Sequence, residues 1–353
     1  MITDISAGTR IYLERVPNAH IAYIGMSGSG KTYAICRHIE ELMALNHGVL
    51  ICDWSGSYTD RELRKSEFSV KKENIQMIDL SKQKVSFRLL QRDSEDADHI
   101  CSLAENVLGL SGALQKKILH RAVTEAGREG KLSFAKVQEY LEKMMEEEEC
   151  DENYEKARRI SKVMDRWQML ADKEFLDLWG SDGIAPDTKK LVILQMFSMP
   201  HEKRKACMTS ILWCLWMLAE KGDRSFRTLV LDEAQYINFS ADIPSRMMRE
   251  GRKFDLSLIL STQFTAGLKK DEMATIFQAG NVFYFHPDIA NLRETANRIQ
   301  PSKAVEWMEI LQNLSVGQAV LCGHYTVNGN LKEQCAPIIT TFRTNRLMMG
   351  LKI

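Results

Sequence analysis

"YIGMSGSGKTYAI" (23–35) places an apolar run, a loop of glycine and serine, a lysine and the start of an amphipathic segment in direct succession. Gly25 to Thr32 fit G-x-x-x-x-G-K-[ST], the pattern of a loop that cradles phosphate between a strand and a helix. Gly25, Gly28 and Gly30 permit turns that a Cβ would forbid, so that successive N–H groups can converge on one anion. Lys31 can reach the β and γ phosphates, and the Thr32 hydroxyl suits Mg²⁺. The helix that starts there adds its positive dipole end. The residues expected to contact a nucleotide are Gly25, Ser27, Gly28, Ser29, Gly30, Lys31, Thr32 and Tyr33, with Thr32 also a metal ligand. A plain glycine turn would have no need of both a strand before it and a helix after it.

Outward from this loop, "HIAYIG" (20–25) is β-rich, and "TYAICRHIEELMALN" (32–46) carries apolar residues at helical spacing, with Gly48 placed to end the helix. "GVLICDW" (48–54) then completes a βαβ unit whose two strands should run parallel, and "NIQMIDL" (74–80) is a further strand. From about 93 to 180, apolar residues recur at three and four residue intervals with few β-branched runs, which predicts a helical insertion. Its acidic block at 142–159 reads as a solvated helix face and linker. Strand character returns in "KLVILQMF" (190–197), "RTLVLDEA" (227–234), "SLILST" (257–262), "GNVFYFH" (280–286) and "GQAVLCGHY" (317–325), with a buried helix at 206–220. The expected organisation is an α/β core in two parts, 1–92 and 186–353, with the helical insertion at 93–185 between them. The core should be a mostly parallel sheet flanked by helices.

"TLVLDEA" ends an apolar strand in Asp232 and Glu233. Such an acid pair facing the phosphate loop would supply a Mg²⁺ ligand, Asp232, and a group that takes a proton from the attacking water, Glu233. A third strand ends in Ser261, Thr262 and Gln263, where an amide can bond both a γ-phosphate oxygen and the lytic water.

The chain has 353 residues, 44% hydrophobic and 27% charged, enough to bury a large core without staples. Lysine plus arginine and aspartate plus glutamate both number 47, so no global field draws nucleic acid to a single copy. The eight cysteines lie in apolar segments without C-x-x-C spacing, which points to buried free thiols and a reducing cytosol. No signal peptide is visible at the start of the sequence, and "ACMTSILWCLWMLAE" (206–220) is shorter than the roughly 20 residues a membrane span needs, so no membrane insertion is expected.

Together, "GMSGSGKT", "VLICDWSGSY", "LVLDEAQ", "REGRKFDLSLILSTQ" (249–263) and "LSVGQAVLCG" (314–323) resemble the HerA and FtsK superfamily of RecA-like ring ATPases, in particular HerA-type helicases and conjugation coupling ATPases. The resemblance covers most of the chain from about 20 to 325. It departs at Ser57, where an acidic residue is common, and in showing neither a small β-barrel before the motor nor transmembrane helices. It implies a RecA-like P-loop fold, ATP and Mg²⁺ as ligands, a homo-oligomeric ring, a hexamer, and double-stranded DNA as cargo. Arg249 or Arg252 would reach the nucleotide of the next subunit; surface charges at a helix end are the other reading. Asp53 lies either near the nucleotide edge or in a structural role. Arg246, Lys269 and Lys270 are candidates to track DNA from the ring axis, against a solvent-facing reading for the lysines.

The function implied is a ring-forming motor translocating double-stranded DNA in the cytoplasm, working with a separate effector such as a nuclease. An ATP-dependent scaffold or switch organising a partner, for example in antiviral defence, is the alternative. A small-molecule kinase is disfavoured, having little use for Glu233, Gln263 and an adjacent arginine segment together.

Overall fold

Alternation of short apolar runs with amphipathic helices builds a nine-stranded sheet in the computed structural model. The structure describes residues 2–6, 9–13, 19–90, 96–110, 112–129, 132–171, 175–180, 182–239, 242–263, 270–327 and 336–342. Strands are β1 (Ile2–Ser6), β2 (Thr9–Tyr12), β3 (Ile21–Ile24), β4 (Val49–Asp53), β5 (Ile75–Asp79), β6 (Val85–Ser86), β7 (Leu176–Asp177), β8 (Leu191–Gln195), β9 (Thr228–Leu231), β10 (Ser257–Thr262), β11 (Asn281–Tyr284), β12 (Gln318–Gly323), β13 (Thr326–Val327) and β14 (Ile338–Thr341). The large sheet runs β14-β12-β11-β3-β10-β9-β4-β8-β5.

From β11 through β8 the neighbours pair in parallel. The expected βαβ unit is therefore parallel but not adjacent: β9 and β10 lie between β3 and β4. That placement brings the ends of β3, β9 and β10 side by side, which is what the site requires. The end strands break the parallel pattern, since β12 pairs antiparallel with β11, and β14 with β12. An N-terminal hairpin of β1 and β2, extended by β13, is a feature the sequence reading did not anticipate.

Parallel strands buried on both faces read as continuous apolar runs, and β3, β4 and β9 are buried at every position. On one face, Tyr23, Ile51, Val230, Ile259 and Phe283 pack with Ile35 and Ile39 of α1 (Lys31–Ala44). Helix α1 does not end at Gly48. Asn46 takes the left-handed conformation (φ 57) and donates to Met43 O, while His47 donates to Leu42 O, a Schellman closure. Gly48 serves close packing instead: a Cβ there would lie 1.7 Å from Ser225 O.

Contacts divide the chain into two units, one of Met1–Met77, Asp187–Phe197 and Gly222–Ile353, the other of Ile78–Pro186 and Ser198–Lys221. The second differs from the expected 93–185 because α7 (His201–Glu220) packs on α3 (Ala97–Leu108). Trp213 Nε1 of α7 donates to Ser102 Oγ of α3 at 3.2 Å. This unit also holds α4 (Ala113–Arg128) and a hairpin of α5 (Phe134–Cys150) and α6 (Tyr154–Ala171). The acidic block is the end of α5, a three-residue turn and the first residues of α6, not a linker.

Cys36, Cys52, Cys101, Cys207 and Cys214 are buried free thiols, as expected; Cys150 is exposed and Cys335 lies outside the described residues. No described helix is long and apolar enough to cross a membrane.

Candidate functional site

The loop after β3 is shaped by its neighbours. Gly25 N–H donates to Thr262 O (3.3 Å) and Met26 N–H to His286 O (2.9 Å), so both are spent on adjacent strands. Gly25 is thus a packing glycine rather than an anion donor: its Cβ would stand 2.6 Å from Phe285 Cβ. Gly28 (φ 77) and Gly30 (φ 103) make the turns expected of them. The Ser29 hydroxyl donates to Met26 O at 2.8 Å. Behind it, Gly317 N–H donates to Ser29 O at 3.0 Å, and a Cβ on Gly30 would lie 2.7 Å from Gly317 N. The "LSVGQ" turn is therefore the backing of the phosphate loop, a contact no sequence pattern disclosed.

Ser27, Gly28, Gly30, Lys31, Thr32 and Tyr33 line a cleft of about 210 Å³ with Ser57, Asp232, Glu233, Ser261 and Gln263. Four chain segments distant in sequence meet there. Lys31 Nζ donates to Gly25 O (2.7 Å) and Met26 O (2.9 Å). Burial lowers its pKa to about 8, opposed by the charges of Glu233 and Asp232.

Asp232 is buried, and its Oδ2 accepts from Ser55 N (3.1 Å) and Ser55 Oγ (2.5 Å). Burial raises its pKa to about 6, with the Ser55 bonds and Lys31 pulling down and Glu233 pushing up. Asp53 takes the structural alternative, its carboxylate accepting from Gly56 N (2.9 Å) and Tyr58 N (3.3 Å). Its pKa stands at about 7, raised by burial and then by Asp232.

Glu233, at φ 52, lies two residues beyond β9 and caps the 3-10 turn Ala234–Tyr236. Its carboxylate accepts from Gln263 Nε2 on one oxygen and Gln235 Nε2 (2.5 Å) on the other. Ser55 and Gln235 were missed as functional candidates. Ser55 lies within "VLICDWSGSY" but carries no pattern of its own, and Gln235 follows the acid pair where only the fold reveals what it touches.

Thr32 and Asp232 offer hard oxygen donors suited to Mg²⁺. Among the described residues no group of three or more His, Cys, Asp or Glu is arranged to hold a metal ion.

The arginines do not join this cleft. Arg249 is exposed in the last turn of α8 (Asp242–Glu250), and Arg246 is half-buried on the same helix. Arg252 lines a groove with Thr228, Ser257 and Asn281, the first residues of β9, β10 and β11, at the strand ends opposite the phosphate loop. Lys269 and the side chain of Lys270 lie outside the described residues.

The family model described as "Helicase HerA, central domain" matches residues 2–213. The DNA double-strand break repair helicase HerA of Saccharolobus solfataricus is 22% identical over 330 residues, covering 86% of this chain and 61% of its own, so this chain spans less than two thirds of that relative. Among solved structures, VirB4 of Thermoanaerobacter pseudethanolicus shares the fold with a TM-score of 0.69 at 15% identity, covering 99% of this chain and 98% of its own. The bacterial conjugative coupling protein TrwB does so with 0.68 at 12% identity, covering 97% and 90%. The chain belongs to the family of the HerA helicase central domain, within the HerA/FtsK-type P-loop ATPases.

Proposed function

We propose that the chain hydrolyses ATP and couples hydrolysis to the movement of double-stranded DNA, as one subunit of a ring. The observation that carries the hydrolytic half is the meeting of Lys31, Thr32, Asp232, Glu233 and Gln263 in one cleft. Lys31, now bonded to carbonyls of its own loop, has its charge available to the β and γ phosphates. Thr32 and Asp232 would hold Mg²⁺, which when bound neutralises phosphate charge. Glu233 would take the proton of the attacking water, and Gln263 would orient that water against the γ-phosphate.

The DNA half draws on family membership and on the relative named as a double-strand break repair helicase. A hexamer with a trans-acting arginine, Arg249 or Arg252, DNA tracking by Arg246, Lys269 and Lys270, a nuclease-like effector and a cytoplasmic setting belong to the same reading.

Duplex-stimulated ATPase and displacement of a third strand from a DNA triplex test the proposal together. A motor shows both, and Glu233→Gln lowers turnover by about a hundredfold or more while nucleotide still binds. Turnover that survives E233Q would overturn the hydrolytic assignment. Hydrolysis indifferent to duplex, with no triplex displaced, would replace the motor by an ATP-dependent scaffold.

A further inference from the structure

Glu233 is gripped on both oxygens, but the two donors are not alike. Gln263 lines the nucleotide cleft, whereas Gln235 does not and stands on the other side of the carboxylate. Gln235 is fixed in turn by Thr262, the fully buried last residue of β10, whose hydroxyl donates to Gln235 Oε1 at 2.8 Å. The chemistry leaves one orientation for this amide. An ionised carboxylate only accepts, so the Gln235 nitrogen faces Glu233, its oxygen faces Thr262, and the hydroxyl is the donor. The adjoining Tyr236 stacks on buried Trp54, with ring centroids 4.8 Å apart and planes at 17°, which steadies the turn that carries Gln235.

We propose that Gln235 is the positioning residue of the catalytic carboxylate, relaying the fixed hydroxyl of Thr262 to Glu233. Gln263 has two claims on it, Glu233 and the γ-phosphate side of the cleft. When it turns to the phosphate, Gln235 alone keeps Glu233 aimed. The order of action is Thr262 to Gln235 to Glu233, and the inference rests on the hydrolytic reading above.

ATP turnover and ATPγS affinity are measured for the wild type, Gln235→Leu, Thr262→Val and the double variant. Q235L should lower kcat about tenfold, the worth of one hydrogen bond to a charged group, with affinity within about twofold. T262V should fall less, and the double variant should be no worse than Q235L, because the Thr262 hydroxyl reaches Glu233 by way of Gln235. Q235E keeps the size but opposes Glu233 with a second carboxylate. It should be poor at alkaline pH and recover toward acid, where the introduced carboxyl is protonated and donates again. Should Q235L fail to fold, T262V and Q235E carry the test.

Unchanged kcat in Q235L, or a double variant that loses the product of the two single effects, overturns the relay. A wild type without ATP turnover, or an E233Q variant as active as the wild type, overturns the hydrolytic reading itself and the role of Gln235 with it.

Discussion

Replacing Asp53 by asparagine tests how the carboxyl groups at the ends of β4 and β9 are held. Asp53 is fully buried, and burial followed by the nearby Asp232 raises its pKa from 3.8 to about 7. Between those two values the folded chain binds the proton and the unfolded chain has released it. Stability from this group is therefore full below the unfolded value, falls as pH rises through the window, and levels off above about 7. Linkage over that shift gives a loss on the order of 2–3 kcal/mol between about pH 5 and about pH 8.

Asparagine carries no such proton. Its amide replaces one of the two oxygens that accept from Gly56 and Tyr58, a cost of about 1–2 kcal/mol that is the same at every pH. The slope with pH, not the offset, is thus the readout. Urea unfolding of wild type and D53N across that pH range should show the wild type losing more stability than the variant by about 2 kcal/mol. Parallel curves would refute the raised pKa and, with it, the account of Asp53 as a buried carboxyl crowded by Asp232.

Two further substitutions probe other parts of the fold and site. Gly48→Ala would drive a Cβ to 1.7 Å from Ser225 O, in a segment pinned by Arg227 and Thr228 N–H groups donating to Gly48 O, so thermal or urea unfolding should register a loss of roughly 3–5 kcal/mol. A variant as stable as the wild type would mean that this close approach does not exist. Ser55→Ala removes the hydroxyl that bonds Asp232 Oδ2 and holds its pKa down. The Mg²⁺ concentration for half-maximal ATP turnover should then rise more at about pH 6.5 than at about pH 8.5, because a proton competes better for Asp232 near its pKa. Equal effects at the two pH values would argue against Asp232 as a cation ligand.

Much of the core was legible because its signals are local. A buried parallel strand is a run of apolar residues whatever its neighbours, so "HIAYIG", "TLVLDEA" and "SLILST" could be recognised one at a time, and their polar endings pointed to Asp232, Glu233 and Gln263. Strand order was not legible, since nothing in an apolar run states which other run lies beside it. The insertion of β9 and β10 between β3 and β4 had to come from the fold. The same limit hid the roles of glycines. Gly25, Gly48 and Gly317 look like turn residues in sequence, yet two of them serve close approach, and the third meets the phosphate loop from about 290 positions away. Gln235 was invisible for the opposite reason: it lies two residues from Glu233, and only the left-handed bend at Glu233 folds it back onto that side chain.

The double attachment of Gly317 has a mechanical meaning. It grips Ser29 on one side and, through its own carbonyl, accepts from Phe342 N–H at 2.9 Å on the other, next to the outermost strand β14. Two backbone bonds on one residue thus join the phosphate loop to the chain beside β14, the terminal strand of the large sheet. Any displacement of the loop at Ser29 has a direct backbone route to that strand, with Gly317 between them.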